Sequence, residues 1–268
     1  GHRAKQLGIG RNMGRIEQLN LEKDADVVFI QEAPYDDWAA DTNIGKAYNL
    51  VGSVETHCGY TMLLVKRGKE AHRLEIHGAP AVCAIVDAVA YVALHLAPLK
   101  YGAERRVNEM RNILGSIPSS AVEKTVAVGD TSMRKTENAS FEALGLVDAW
   151  KEAGESKGTE CTWDSRINCN HSDAFAFAFV SRFDRAYLRG LSCQTFSLIA
   201  NEKSDGAYPS DHFGICLTVR GRVLESRPWP AFSWIMSRLI RSFARTSCRG
   251  ETRRRSQISQ DDDTIKSI

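Results

Sequence analysis

The feature that most constrains this chain is a series of short apolar runs, many of which end beside a polar side chain capable of chemistry. Val27-Val28-Phe29-Ile30 runs into Gln31-Glu32, and Thr125–Val128 runs into Gly129-Asp130. Tyr60–Lys66, Ala81–Val86 and Val89–Leu96 are further runs, the last two flanking Asp87-Ala88 in the manner of a hairpin. Phe175–Val180, Asp184–Leu188 and Gly214–Val219 complete the set. Runs this short and rich in β-branched residues suit strands, and Val27–Ile30 suits one buried on both faces. Helical spacing shows around Arg15–Asn20, where Met13, Ile16 and Leu19 lie three apart. It shows again over Ala103–Leu114, where Val107, Met110 and Leu114 share a face. Strands outnumber helices without strict βαβ alternation, which predicts a sheet-rich layered α/β or α+β domain.

Composition sets outer limits. The 43% hydrophobic and 25% charged content over 268 residues is globular and excludes collagen, a disulfide miniprotein and a wholly disordered chain. The apolar stretch Ala79–Leu99 is broken by Asp87, His95 and Pro98, so no membrane-spanning segment is expected. Residues 1–10 show no secretory signal, and the seven cysteines lack zinc spacing, which favours a reducing, intracellular setting in the nucleus or cytoplasm. The net charge of +2 is unevenly spread. Residues 220–268 hold eleven basic and five acidic groups, a net of +6, and residues 1–219 hold 24 and 28, a net of −4. The expected organisation is therefore an acidic body over 1–219 and a basic extension over 220–268. After Pro228-Trp229-Pro230, the spacing of Phe232, Ile235, Met236, Leu239, Ile240 and Phe243 predicts an amphipathic helix over 231–245, and residues 247–268 read as disordered. A membrane or protein contact through 231–245 is the less favoured reading, behind packing on the body or an unstructured extension.

The polar residues at the run ends can do joint chemistry. Glu32 follows one strand, Asp130 ends another after a turn-permitting Gly129, Asp184 begins a third, and Ser210-Asp211-His212 precedes a fourth. A sheet that gathers such ends offers carboxylate oxygen to a hard cation such as Mg²⁺ and imidazole to a phosphate. Singly, Gln-Glu, Gly-Asp-Thr and Ser-Asp-His are common turn and strand-end sequences; their order carries the signal.

That order resembles the endonuclease/exonuclease/phosphatase superfamily, which includes deoxyribonuclease I and the abasic-site endonucleases. The similar pieces are Asp26–Glu32, His57-Cys58-Gly59-Tyr60-Thr61, His95-Leu96, Ala103-Glu104-Arg105, Gly129-Asp130-Thr131 and Val147–Trp150, then Thr162-Trp163-Asp164, Asn168-Cys169-Asn170, Arg182–Arg185 and Pro209–Gly214. They span roughly residues 15–219, and Thr-Trp-Asp, Phe-Asp-Arg and Cys-Gly-Tyr-Thr resemble the branch that acts on tyrosine-blocked DNA ends. The resemblance implies a four-layer sandwich of two mixed β-sheets packed face to face with helices outside. It implies Glu32 as the Mg²⁺ ligand (Mn²⁺ being the alternative ion) and Asp130 as the residue that positions or deprotonates water. His212 and His95 would contact the phosphate, and Asp184 would orient His212. Trp163, Phe183, Arg134, Met133 and Asp211 would lie on the DNA side, the aromatics facing a single-stranded 5′ end.

Three departures from the family accompany the resemblance. The first strand of the family, with its Tyr-Asn or Trp-Asn pair, has no counterpart here; Asn12 falls in the helical region. Its loss would expose a sheet edge. Ser132 stands where the family has Asn, and Ala97-Pro98 stand where it has Glu-Ser. The implied function is a Mg²⁺-dependent phosphodiesterase for 5′-phosphotyrosyl bonds left by trapped topoisomerases. The alternatives are another phosphoesterase of the superfamily (abasic-site endonuclease, deadenylase, inositol or lipid phosphatase) and a weakened or silent paralogue that binds nucleic acid. His57, His72, His77 and His171 read as surface or structural.

Overall fold

A computed structural model of the protein describes residues 14–168, 170 and 179–221. These lie within one compact unit, Gly1–Arg222. The helix expected over 231–245, the disorder expected over 247–268 and most of the run Phe175–Val180 fall outside the described residues.

The strands are β1 (Val27–Ala33), β2 (Tyr48–Thr56), β3 (Gly59–Lys66), β4 (His72–Leu74), β5 (Ala81–Val86), β6 (Val89–His95), β7 (Thr125–Asp130), β8 (Val147–Asp148), β9 (Trp163–Asp164), β10 (Val180–Ser181), β11 (Asp184–Arg189), β12 (Leu191–Ile199) and β13 (Gly214–Gly221). The central sheet has six strands in the order β4-β5-β6-β7-β11-β8. It is mixed, because β6 and β7 run parallel while the other neighbours are antiparallel. The long helix Ala103–Ser116 sits in the connection between β6 and β7, as a parallel pair requires.

Alternation along the strands builds the layers. Ala90, Val92 and Leu94 of β6, with Ala127 and Tyr187, face Met110 and Ile113 of the long helix. The opposite face of the sheet meets two antiparallel pieces. Val82, Ala84 and Ala93 pack on Leu63, Val27 and Phe29, and Val126, Val128, Ala186 and Leu188 pack on Leu191, Phe196 and Leu217. The outer face of β1 and β3, with Val28, Ile30, Met62 and Leu64, is covered by Trp38, Ala39 and Ile44 and by Leu21 of the helical residues 14–23. The result is the expected four-layer sandwich. Its second layer differs in detail: among the described residues it is β1-β3-β2 and β12-β13, both antiparallel, rather than one mixed sheet. β1 pairs only with β3 there, so its other edge is open among the described residues.

One buried ion cluster fixes where β11 starts. Asp148 accepts from Arg182 at 2.8 and 2.7 Å and lies 3.4 Å from Arg185, with all three side chains nearly inaccessible. Arg182 also lies 4.4 Å over the Trp150 ring. Phe183 and Asp184 are thus held between two anchored arginines. Removing one partner strands the remaining buried charges. Asp148→Ala is expected to lower stability by about 3–5 kcal/mol, read as a shifted urea midpoint with an unchanged slope.

Candidate active site

Register brings three chemically active residues into a row. His95 ends β6 opposite Asp130 at the end of β7, and Asp130 faces Asp184 at the start of β11. β6 and β7 can approach this closely because residue 129 is glycine. Its φ is +152°, and a Cβ there would lie 1.9 Å from the Leu94 carbonyl oxygen. β1 reaches the same end of the sandwich through an irregularity between Ile30 and Ala33. Glu32 lies inside it with φ +59°, and its carboxylate is exposed. Bulges re-aim side chains in this way.

The loop bearing His212 is tied from several sides. Asn168 donates to the Ser210 carbonyl at 2.8 Å, and Asn170 to the Tyr208 carbonyl. Phe213 N–H donates to the Thr162 carbonyl at 2.7 Å. The Thr162 hydroxyl in turn accepts from the N–H groups of Phe183 and Asp184 at 3.1 and 3.0 Å. These bonds set the imidazole against its acid: His212 Nδ1 lies 2.8 Å from Asp184 Oδ2. Asp130 is fixed separately, its Oδ1 accepting from Ser132 N–H at 2.6 Å and from Ser132 Oγ at 3.2 Å. His95 Nε2 stands 3.6 Å from Asp130 Oδ2.

The two histidines are driven in opposite directions. Burial lowers His95, and the nearby charge of Asp130 only partly offsets this, so it is a neutral imidazole at neutral pH. Burial would lower His212 too, but the charge of Asp184, its hydrogen bond and the charge of Asp130 outweigh it and push His212 up to about 10. Asp130 is raised, first by burial and then by Asp184, which makes it a better proton acceptor than a free carboxylate.

Aromatic and cationic groups flank the row. Trp163 is buried, 8% exposed, with its ring edge-on to His212 at 4.8 Å. Phe183 is half-buried and meets Trp163, the exposed Phe179 at 5.7 Å, and the Arg134 guanidinium at 5.0 Å. The outward platform is therefore Phe183, Phe179 and Arg134, with Trp163 beneath it. Asp211 accepts from Ser210 Oγ at 3.2 Å beside the histidine. Met133 does not fit the DNA-side expectation: it is 1% exposed, and its Sδ accepts from the Tyr187 hydroxyl within the core. Its apolar thioether fills space between β11 and the helix layer instead.

Several contributors were not legible in sequence. Thr162 reads only as part of the Thr-Trp-Asp motif and Phe179 only as part of an apolar run, neither with a role of its own. Arg106 is fully buried, donates to the Ala97 and Leu99 carbonyls and pairs with Glu137, which also accepts from Arg134 N–H. It joins the loop after His95 to the loop carrying Arg134. His57, read as surface or structural, stacks edge-on against His95 with ring centroids 4.6 Å apart. Cys58 Sγ–H donates to Glu32 at 3.0 Å, and its thiol is pushed up to about 12 by burial and by Glu32.

The His212–Asp184 pair makes a signed prediction. A raised histidine stabilises the fold fully below its unfolded value, and that stability is lost as pH rises through about 10. In Asp184→Asn the burial penalty remains while the main opposing charge is gone. The His212 midpoint followed by NMR should fall by about 1–3 pH units; an unmoved midpoint would contradict the pairing.

Comparison with known proteins agrees with this geometry. No protein-family model matches the chain. Tyrosyl-DNA phosphodiesterase 2 of Mus musculus is 29% identical over 217 residues, covering 72% of this chain and 57% of that protein. The Bos taurus protein of the same name is 30% identical over 135 residues, covering 47% and 36%. The chain thus spans little more than half of the first relative and about a third of the second. Among solved structures, D. rerio tyrosyl-DNA phosphodiesterase 2 complexed with a single-strand DNA product superposes with a TM-score of 0.62 at 24% identity, covering 78% of this chain and 91% of that one. An endonuclease/exonuclease/phosphatase family protein from Leptotrichia buccalis gives 0.58 at 16% identity, covering 78% and 93%. Fold, ordered motifs and the row at the strand ends agree: the chain has the fold of these structures and is similar in sequence to tyrosyl-DNA phosphodiesterase 2.

Proposed function

We propose that the protein is a divalent-metal-dependent phosphodiesterase acting on 5′-phosphotyrosyl DNA ends in the nucleus or cytoplasm. The observation that carries the reading is the row His95, Asp130 and Asp184, with His212 held 2.8 Å from Asp184 beside the Phe183 platform. The residues fit a hard cation: Glu32 is an exposed carboxylate 3.0 Å from Cys58 Sγ, which lies 3.8 Å from His95 Nε2, and one or two carboxylates plus substrate phosphate suffice for Mg²⁺. Glu32 would hold Mg²⁺ or Mn²⁺, which when bound supplies positive charge to the phosphate.

This chain's own groups account for the remaining steps. Asp130, kept more basic than usual, accepts a proton from the attacking water, and Ser132 fixes its orientation. His212 is an imidazolium whose Nδ1–H is committed to Asp184, so Nε2–H faces the phosphate and stabilises its developing charge. Neutral His95 contributes a hydrogen bond from the other side. The leaving group of a phosphotyrosyl bond is a phenol with a pKa of about 10, so it departs without a strong general acid. Phe183 and Phe179 offer stacking to the unpaired bases, and Arg134 offers charge to the backbone.

The direct assay uses a 5′-tyrosyl oligonucleotide with Mg²⁺, beside abasic and inositol phosphate substrates. The expected outcome is preference for the tyrosyl end, and a loss of about 10²–10⁴-fold in Asp130→Asn. Equal rates for wild type and variant would refute the mechanism. Preference for an abasic or inositol substrate would move the reading elsewhere in the superfamily.

A further inference from the structure

The β2–β3 turn places two residues beside the row that the proposed mechanism does not use. His57 and Cys58 sit at its tip, and His95 lies opposite. One ligand atom from each of the three lies within 4.8 Å of the others. Cys58 Sγ is already 3.8 and 3.9 Å from the His95 ring nitrogens. Ligand atoms on a tetrahedral zinc ion, with bonds of about 2.0–2.3 Å, stand about 3.3–3.8 Å from one another. Side-chain rotation of the exposed His57 and Cys58 closes the difference. His95 is buried at 2% exposure, yet its carboxylate contact, to Asp130, is long at 3.6 Å. The ring is therefore not committed to a tight hydrogen bond.

We infer that His57, Cys58 and His95 form a binding site for a soft or borderline divalent cation of the Zn²⁺ class, distinct in chemistry from the hard-cation site at Glu32. Thiolate and imidazole select Zn²⁺ over Mg²⁺, which prefers oxygen. Binding replaces the Cys58 S–H bond with an S–metal bond. The released proton passes to the Glu32 carboxylate 3.0 Å away and on to solvent, so one proton leaves per ion bound. The same event occupies a His95 ring nitrogen that the proposed reaction would offer to the phosphate. Zn²⁺ thus acts as an inhibitor of the cleft while Mg²⁺ does not compete for the thiolate.

The test uses the full chain and Co²⁺ alone, because a Co²⁺–thiolate bond has its own charge-transfer absorption. Wild type should show that band with one ion bound, and added Zn²⁺ should abolish it. Cys58→Ser should lose the band, and His57→Ala should weaken binding by at least about tenfold, with circular dichroism confirming that both fold. Absence of the band in wild type, its persistence in Cys58→Ser, or unchanged affinity in His57→Ala would each overturn the assignment. The readout is the metal's spectrum, so it stands or falls independently of any hydrolytic activity.

Discussion

The candidate site depends on the hydrogen-bonded register of β6, β7 and β11. Side chains alternate along a strand, so a slip of one residue would send His95, Asp130 or Asp184 to the opposite face. Core packing holds the register on both sides of the sheet, through Val126, Val128, Ala186 and Leu188 on one face and Ala127 and Tyr187 on the other. Gly129 holds it locally, because any side chain there meets the Leu94 carbonyl. The chemistry sits where three ladders end together, so its geometry is as stiff as the sandwich core.

Two electrostatic environments then arise within that row. His95 has burial as its dominant influence and loses its charge, whereas His212 faces two carboxylates and keeps it. In the proposed reaction a phosphate between them would meet one neutral and one cationic imidazole. The site is built from carboxylates, in keeping with a body of net −4; under the proposed reading a cation held there would supply the local positive charge that the composition lacks. Apart from Arg220 in β13, the charged groups behind the +6 of residues 220–268 lie outside the described residues, and the whole segment lies outside the family resemblance.

Much of this was legible in sequence because apolar runs and the residues ending them are local signals. Val27–Ile30, Thr125–Val128 and Asp184–Leu188 became β1, β7 and β11, and Asp130 and Asp184 at two of these ends lie opposite one another in register. β2 and β12 were missed because Tyr48–Thr56 and Leu191–Ile199 interleave polar residues, as half-exposed strands do. The roles of Thr162, Arg106 and His57 were also illegible, since each acts through a partner distant in the chain: Asp184, Glu137 and His95. Met133 was misread. The resemblance implied a DNA-side position, but the side chain is buried in the core. Ser132 shows how a departure is absorbed. With φ +48° it still delivers both N–H and hydroxyl to Asp130, although not the amide group of Asn.

The central claim is that Asp184 works only through His212, as one charged unit facing the scissile phosphate. A double-mutant cycle on tyrosyl-oligonucleotide hydrolysis tests it most directly, using Asp184→Asn, His212→Asn and the double variant. The account predicts strong non-additivity, with the double variant no slower than His212→Asn alone. Losses that simply multiply would show two independent groups and contradict it.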